Sequence, residues 1–379
     1  MAGLVVSLVS LPFSLGIAVA SGAPPICGLI SAIIAGLLLP FLGGSFVTVS
    51  GPAAGLAPAL FASMLLLGRG DQEVGYPLLL GAICLTGLVQ VVLARFNLAR
   101  YAAIFPASVV EGMLAAIGLL IIAKQLPLIV GQKFTEHEFW GMVREAPSRF
   151  LAMDLKVFAV GVVCLALIFA LAALKARWVK VVPPQVIAAV VGVILGWSLG
   201  LTGDRLIHLP DDPFKHGIVM PNFTGLFTGT SLLWPLFTVV LLLTLIDGVE
   251  SLATIAAIDK IDPFRRKSDP NRTLLAMGFS NMASSLAGGL TIIPGGVKST
   301  TAILSGARTQ WCNFYNAIFL IIFLLLGRGL INLIPYSALG WGRSSCIPAS
   351  SSALPRSGGT SRRSGPSNSW SSRPRSWSR

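Results

Sequence analysis

A chain of 379 residues that is 54% hydrophobic and only 11% charged lies far from the roughly 25% charged content of soluble domains, so water is not its main solvent. The formal net charge of +13 does not mark a nucleic-acid binder, because seven of the arginines lie from Arg343 onward and the remaining excess sits in short loops between apolar runs. A cleaved secretory signal is excluded as well: no basic n-region is present, and apolar segments keep recurring downstream.

The first 68 residues contain no Lys, Arg, Asp, Glu or His; Arg69 is the first. One span takes roughly 20 residues, so this stretch crosses the bilayer more than once. Apolar runs at 1–20, 26–43, 52–68, 76–96, 104–124, 155–174, 182–200, 232–256, 272–288, 297–306 and 312–334 predict about eleven spans. Basic residues follow the fourth span (Arg95, Arg100), the sixth (Lys175, Arg177, Lys180) and the eighth (Lys260, Arg265, Arg266, Lys267, Arg272). Alternating spans put these loops on one side, which the positive-inside rule makes cytoplasmic, and the N-terminus faces the same way. Loops 125–153 and 201–230, on the other side, mix acids with bases. A multi-pass protein of the plasma or inner membrane is expected, with the lipid bilayer as its first partner.

The cysteines Cys27, Cys84, Cys164, Cys312 and Cys346 show no paired spacing, and four of them sit in apolar segments as small hydrophobes. His137, His208 and His216 fall in polar connections, so no metal constellation or cofactor is indicated. Glu111 stands near the cytoplasmic start of its helix, where the dipole tolerates an acid. After Leu339 the chain turns to Ser, Arg, Pro, Gly and Trp, a composition that cannot bury a core. Residues 1–339 are expected to form one transmembrane domain, divided into a first repeat (1–200) and an incomplete second one (232–339). Segment 340–379 is expected to be either a basic tail or, the favoured reading, out-of-frame sequence.

Two places break the helical pattern. Extended-type residues Phe46 to Ser50 run into Gly51-Pro52-Ala53-Ala54-Gly55 and then an apolar helix. Ser50 suits a cap and Pro52 a first helical turn. Likewise Leu290 to Ile293 run into Pro294-Gly295-Gly296-Val297-Lys298-Ser299, with a lysine in the first turn of a short helix. Each half-helix would begin inside the membrane and offer free amides and a positive dipole end to an anion. Interrupted segments at matching places in two halves point to a transporter site at the midplane. Either break alone reads as a kink or packing contact; two, with an intramembrane cation, read as a site.

On the eighth span Asp247, Glu250 and Thr254 share a helical face. Intramembrane carboxylates usually mark an ion or proton path, so these residues, with the backbone at Pro294, Gly295 and Gly296, are the expected coupling-ion site. Glu250 and Thr254 are the candidate Na⁺ ligands. The bland alternative is an ion pair between these acids and Lys298.

Leu11-Pro12, the run Ala20-Ser21-Gly22-Ala23-Pro24-Pro25-Ile26-Cys27-Gly28-Leu29, Gly43-Gly44-Ser45 and Val49-Ser50-Gly51-Pro52 resemble the first spans of the SulP (sulfate permease, solute carrier 26) family. Asn271-Arg272, Asn281 and Gly288-Gly289 are similar to its ninth span and the approach to its tenth. The resemblance implies an all-α polytopic membrane protein with a seven-plus-seven inverted repeat, in which a core domain moves against a gate domain. It places the anion between Ser50, Gly51, Pro52, Ala53 and Ala54 on one side and Gly296, Val297, Lys298 and Ser299 on the other. Where the family usually has Arg-Ser, this chain has Lys298-Ser299, which keeps the charge but loses bidentate geometry. Glu250 to Thr254 resembles the sodium-binding segment of bicarbonate-transporting members; other members are thought to use a proton there. The last two to three spans and the usual cytoplasmic STAS domain have no counterpart here.

The expected function is secondary transport of a small inorganic oxyanion, bicarbonate or sulfate, coupled to Na⁺ or H⁺, with a homodimer expected for an intact version and no enzymatic activity. A dicarboxylate or nucleobase carrier on the same fold, and an inactive fragment, are the alternatives.

Overall fold

The computed structural model describes residues 2–99, 139–173, 184–200, 219–227 and 230–327, with isolated positions 112, 131, 329 and 335. The expected span 104–124 with Glu111, the three histidines, and the tail 340–379 with Cys346 lie outside the described residues.

In chain order the elements are α1 (Ala2–Ala20), α2 (Pro25–Leu42), β1 (Ser50–Pro52), α3 (Ala57–Leu67), α4 (Gln72–Arg95), α5 (Phe139–Leu151), α6 (Leu155–Ala173), α7 (Pro184–Ser198), α8 (Phe223–Phe227), α9 (Thr230–Ile261), α10 (Pro270–Leu286), β2 (Ile292–Pro294), α11 (Gly296–Leu304) and α12 (Trp311–Leu326). By length and composition α1, α2, α4 and most of α9 can each cross a membrane, while α3, α7 and α12 are shorter apolar helices. Two helices arise where only polar connections were expected, α5 and α8. The first is amphipathic, and it meets α6 at a bend of 114°.

The helices start where local chemistry allows. Asp71 caps α4 by accepting from the Glu73 and Val74 amides. Asp269 caps α10 in the same way, with Pro270 in its first turn, where a missing N–H costs nothing. The expected cap of α3 is corrected. Ser50 and Pro52 are strand residues, and the helix starts at Ala57 with Pro58 as its first-turn proline. An extended partner was available for Ser50 to Pro52, and pairing with it satisfies backbone groups that would otherwise be bare in hydrocarbon.

The packing carries an internal exchange. α1 to α4 correspond in order to α9 to α12. α4 packs on α10 and its counterpart α12 on α2, while α1 touches α11 and α9 touches α3. Swapping the two blocks maps each of these contacts onto another, as expected of an internal repeat. The α4–α10 crossing is closest at Gly87 and Gly278, each set against the other's carbonyl oxygen, with no room for a side chain.

The loops after α2, α4, α9 and α11 meet at one end of this bundle. Arg272 donates to the Leu42 carbonyl at 3.1 Å, the Asp269 amide to the Gly44 carbonyl at 3.0 Å, and the Ala99 amide to Asn271 at 3.1 Å. Arg266 holds Asp262 at 2.8 Å and reaches the Arg308 carbonyl at 2.9 Å. The basic loops after the fourth and eighth spans therefore share a side, as their charges led one to expect.

Candidate functional site

β1 and β2 pair with each other, antiparallel, with Ser50 opposite Pro294, Gly51 opposite Ile293 and Pro52 opposite Ile292. Flanking bonds extend the ribbon: the Ala53 amide donates to the Thr291 carbonyl at 3.0 Å and the Gly295 amide to the Val49 carbonyl at 2.9 Å. Because the strands run in opposite directions, the helices that follow them, α3 and α11, direct their N-terminal ends at the crossing from opposite sides. The two breaks read from sequence are one structure. Helix N-termini carry unpaired amides and partial positive charge, so positive potential accumulates here without any charged side chain.

Lys298 adds a full charge. It lies in the first turn of α11 and is 1% exposed, the largest of the fully buried side chains among the described residues. Its Nζ donates to Ser14 Oγ of α1 at 3.1 Å and stands 5.4 Å from the centre of the Phe13 ring. Gly51 makes this possible, because a Cβ there would collide with the ammonium. No carboxylate lies at ion-pairing distance from Lys298 among the described residues, so the bland ion-pair alternative is absent from this conformation. Ser299, also expected at the anion, is tied to backbone: its hydroxyl donates to the Gly295 carbonyl at 2.6 Å and accepts from the Val49 amide at 2.9 Å. Those bonds anchor the first turn of α11 on the strand that leads into β1. Ser50 and Ala53 are buried in the crossing, whereas Gly296 is exposed at the start of α11.

The three residues expected to share a face on α9 face different elements. Asp247, fully buried, accepts from Ser251 at 3.0 Å and from Asn281 of α10 at 2.8 Å. The Glu250 carboxylate lies directly against Gly55, just ahead of α3, where a Cβ would collide with it. Its Oε2 is buried with no hydrogen-bond partner. Thr254, half-buried, flanks Gly296 at the start of α11. Glu250 and Thr254 thus sit beside the two half-helix starts.

Sequence reasoning missed Ser14, Phe13 and Gln90. A signal for the first was present: Ser7, Ser10 and Ser14 recur at helical spacing in an apolar span, and all are buried. The described cysteines are free thiols, and no group of metal-ligating side chains occurs among the described residues.

The sequence profile of the sulfate permease family matches residues 1–341. The chain belongs to that family. It is 25% identical over 346 residues to the bicarbonate transporter BicA of Synechocystis, and 22% identical over 368 residues to a sodium-independent sulfate anion transporter of Bos taurus. Each alignment covers 89% of this chain, but only 58% and 59% of those proteins. Among the curated relatives it also matches YvdB of Bacillus subtilis, 25% identical, where it spans 61% of the relative's length. The chain therefore spans about three fifths of the relatives it matches. In fold it is similar to the transmembrane domain of a cyanobacterial bicarbonate transporter BicA, with a TM-score of 0.82 at 22% identity over 95% of this chain and 90% of that one. SLC26A9 follows at 0.78 and 18%, over 93% of this chain and 57% of that one. The inverted-repeat architecture with two broken helices is the sulfate permease fold.

Proposed function

We propose that this chain forms the binding core of a secondary transporter that carries an inorganic oxyanion, sulfate or bicarbonate, by alternating access. The observation that carries the reading is Lys298: a buried cation without an acidic partner among the described residues, set where two half-helix N-termini converge. An uncompensated lysine costs about 2.5–3.5 kcal/mol in the middle of a membrane, and a bound anion removes that cost. The relatives named as bicarbonate and sulfate transporters support the same substrate class.

Glu250 and Thr254, with the backbone from Pro294 to Gly296, take the coupling Na⁺ or proton in this scheme. Their contacts support it, because a cation held there lies beside both half-helix starts, and its occupancy can alter the anion's surroundings. The intact transporter is a homodimer in this scheme, within the plasma or inner membrane and with its N-terminus cytoplasmic.

Uptake of labelled sulfate and of bicarbonate into proteoliposomes, with and without a sodium gradient, tests the reading. Lys298→Ala should abolish uptake, because loss of a charge-assisted hydrogen bond of about 1.5–3 kcal/mol weakens binding about 10- to 150-fold. Undiminished uptake in that variant, or uptake of dicarboxylates or nucleobases in place of both anions, would overturn it.

A further inference from the structure

We propose that Asp247 is a positioning residue for the anion site, acting through Asn281 on the Ile292 amide of β2, and is not a ligand of the coupling ion. The inference rests on the anion-site reading for its functional consequence, but its geometry stands apart from it.

Asp247, Asn281 and Gln90 come from α9, α10 and α4, and each is 0% exposed. Asn281 Nδ2 donates to Asp247 Oδ2 at 2.8 Å and to Gln90 Oε1 at 2.9 Å. Its Oδ1 accepts the Ile292 amide at 2.6 Å. The second oxygen of Asp247 accepts from Ser251 at 3.0 Å. Both carboxylate oxygens therefore already receive hydrogens from protein groups. The carboxylate faces Ser251 of its own helix and Asn281 of α10, while Glu250 lies against Gly55 ahead of α3 and Thr254 beside Gly296 of α11.

The chemistry of the amide makes the arrangement directional. Ile292 pairs with Pro52, and its N–H points out of the two-stranded ribbon toward α10. Within a membrane that amide needs a partner. Asn281 supplies one only when its oxygen faces β2. The opposite orientation would set NH₂ against the Ile292 N–H and a carbonyl against Asp247. An ionised carboxylate only accepts, so Asp247 selects the orientation that holds β2. Lys298 follows four residues after the last strand residue, and a change in β2 is passed directly to the ammonium and to the first turn of α11.

The test is an exchange of side chains in the full chain, purified in lipid nanodiscs and checked for monodispersity. Asn281→Asp keeps an acceptor for Ile292 but sets two carboxylates against each other. It should raise hydrogen exchange in the peptide containing Ile292 and weaken sulfate binding about tenfold or more, as expected for a broken buried hydrogen bond. The double exchange Asp247→Asn with Asn281→Asp should restore both. The amide then donates to the carboxylate from the other side, and Gln90 turns its Nε2 toward the same group. Asp247→Asn alone should keep the sodium or pH dependence of sulfate binding.

Unchanged exchange at Ile292 in Asn281→Asp, no recovery in the double variant, or loss of the cation dependence in Asp247→Asn would each overturn the assignment. If Asn281→Asp yields no folded protein, recovery of folding in the double variant is expected, and its failure counts against the relay. Should the wild-type chain bind neither sulfate nor bicarbonate, the anion-site reading fails, while hydrogen exchange still decides the relay.

Discussion

Gly51 of β1 and Lys298 of α11 share one space: the ammonium occupies the volume that a side chain at position 51 would fill. The residues are distant in sequence, yet the pairing of β1 with β2 places one directly over the other. Gly51→Ala should therefore displace the ammonium from Ser14 without removing its charge. Sulfate binding should fall about tenfold or more, on the scale of a lost charge-assisted hydrogen bond, while the protein stays folded. Isothermal titration on monodisperse protein checks this, and wild-type affinity in the variant would refute it.

Ser14 is the hydrogen-bond partner of Lys298. Ser14→Ala removes the acceptor of that charge-assisted hydrogen bond but leaves the ammonium's charge in place, so binding should weaken about tenfold. The loss should be smaller than that from Lys298→Ala. Side-by-side titrations with sulfate establish the order.

Gly55 and Glu250 stand to each other as Gly51 stands to Lys298. Gly55→Ala should push the Glu250 carboxylate away from the start of α3 and change the sodium or pH dependence of uptake. Glu250→Gln should change the same dependence by removing the charge in place. Gradient-driven uptake assays decide it, and a dependence untouched in both variants removes Glu250 from the coupling scheme.

At the loop end of the bundle, the hydrogen bond from Arg266 holds the Asp262 carboxyl below its ordinary value of 3.8. A depressed folded-state value contributes stability above the ordinary value, and the contribution disappears as pH falls through the folded one. Asp262→Asn should therefore melt lower than wild type at neutral pH, and the two should converge in acid. Thermal melts across a pH series measure the gap; a gap that widens toward acid pH would contradict the assignment.

The α4–α10 contact predicts a purely structural effect. Gly278→Leu inserts a side chain where the Gly87 carbonyl already sits, and overpacking of this kind costs about 1–3 kcal/mol. A lower melting temperature with retained sulfate affinity in the surviving folded fraction is the expected outcome.

Much of this molecule was legible in its residues. Apolar runs marked the long helices α1, α2, α4 and α9, Gly51-Pro52 and Pro294-Gly295 marked the two breaks, and Lys298 marked the charge, because each signal is local and the bilayer penalises few alternatives. Helices α5 and α8 escaped because short or amphipathic segments leave no long apolar run to read. The start of α3 was misjudged for a different reason. Pro52 satisfies either a first helical turn or an extended segment, and the choice fell to a strand more than 200 residues away.

By itself, the sequence determined that the chain lives in a bilayer, where its helices break, and that a cation lies near one of the breaks. Tertiary structure alone decided that the two breaks pair with each other, that Gly51 rather than an acid faces Lys298, and that Asp247 is bound to Asn281 while Glu250 meets Gly55. Spacing along a helix says which residues share a face. Which neighbour that face meets depends on how separate helices cross, and that is settled by long-range packing.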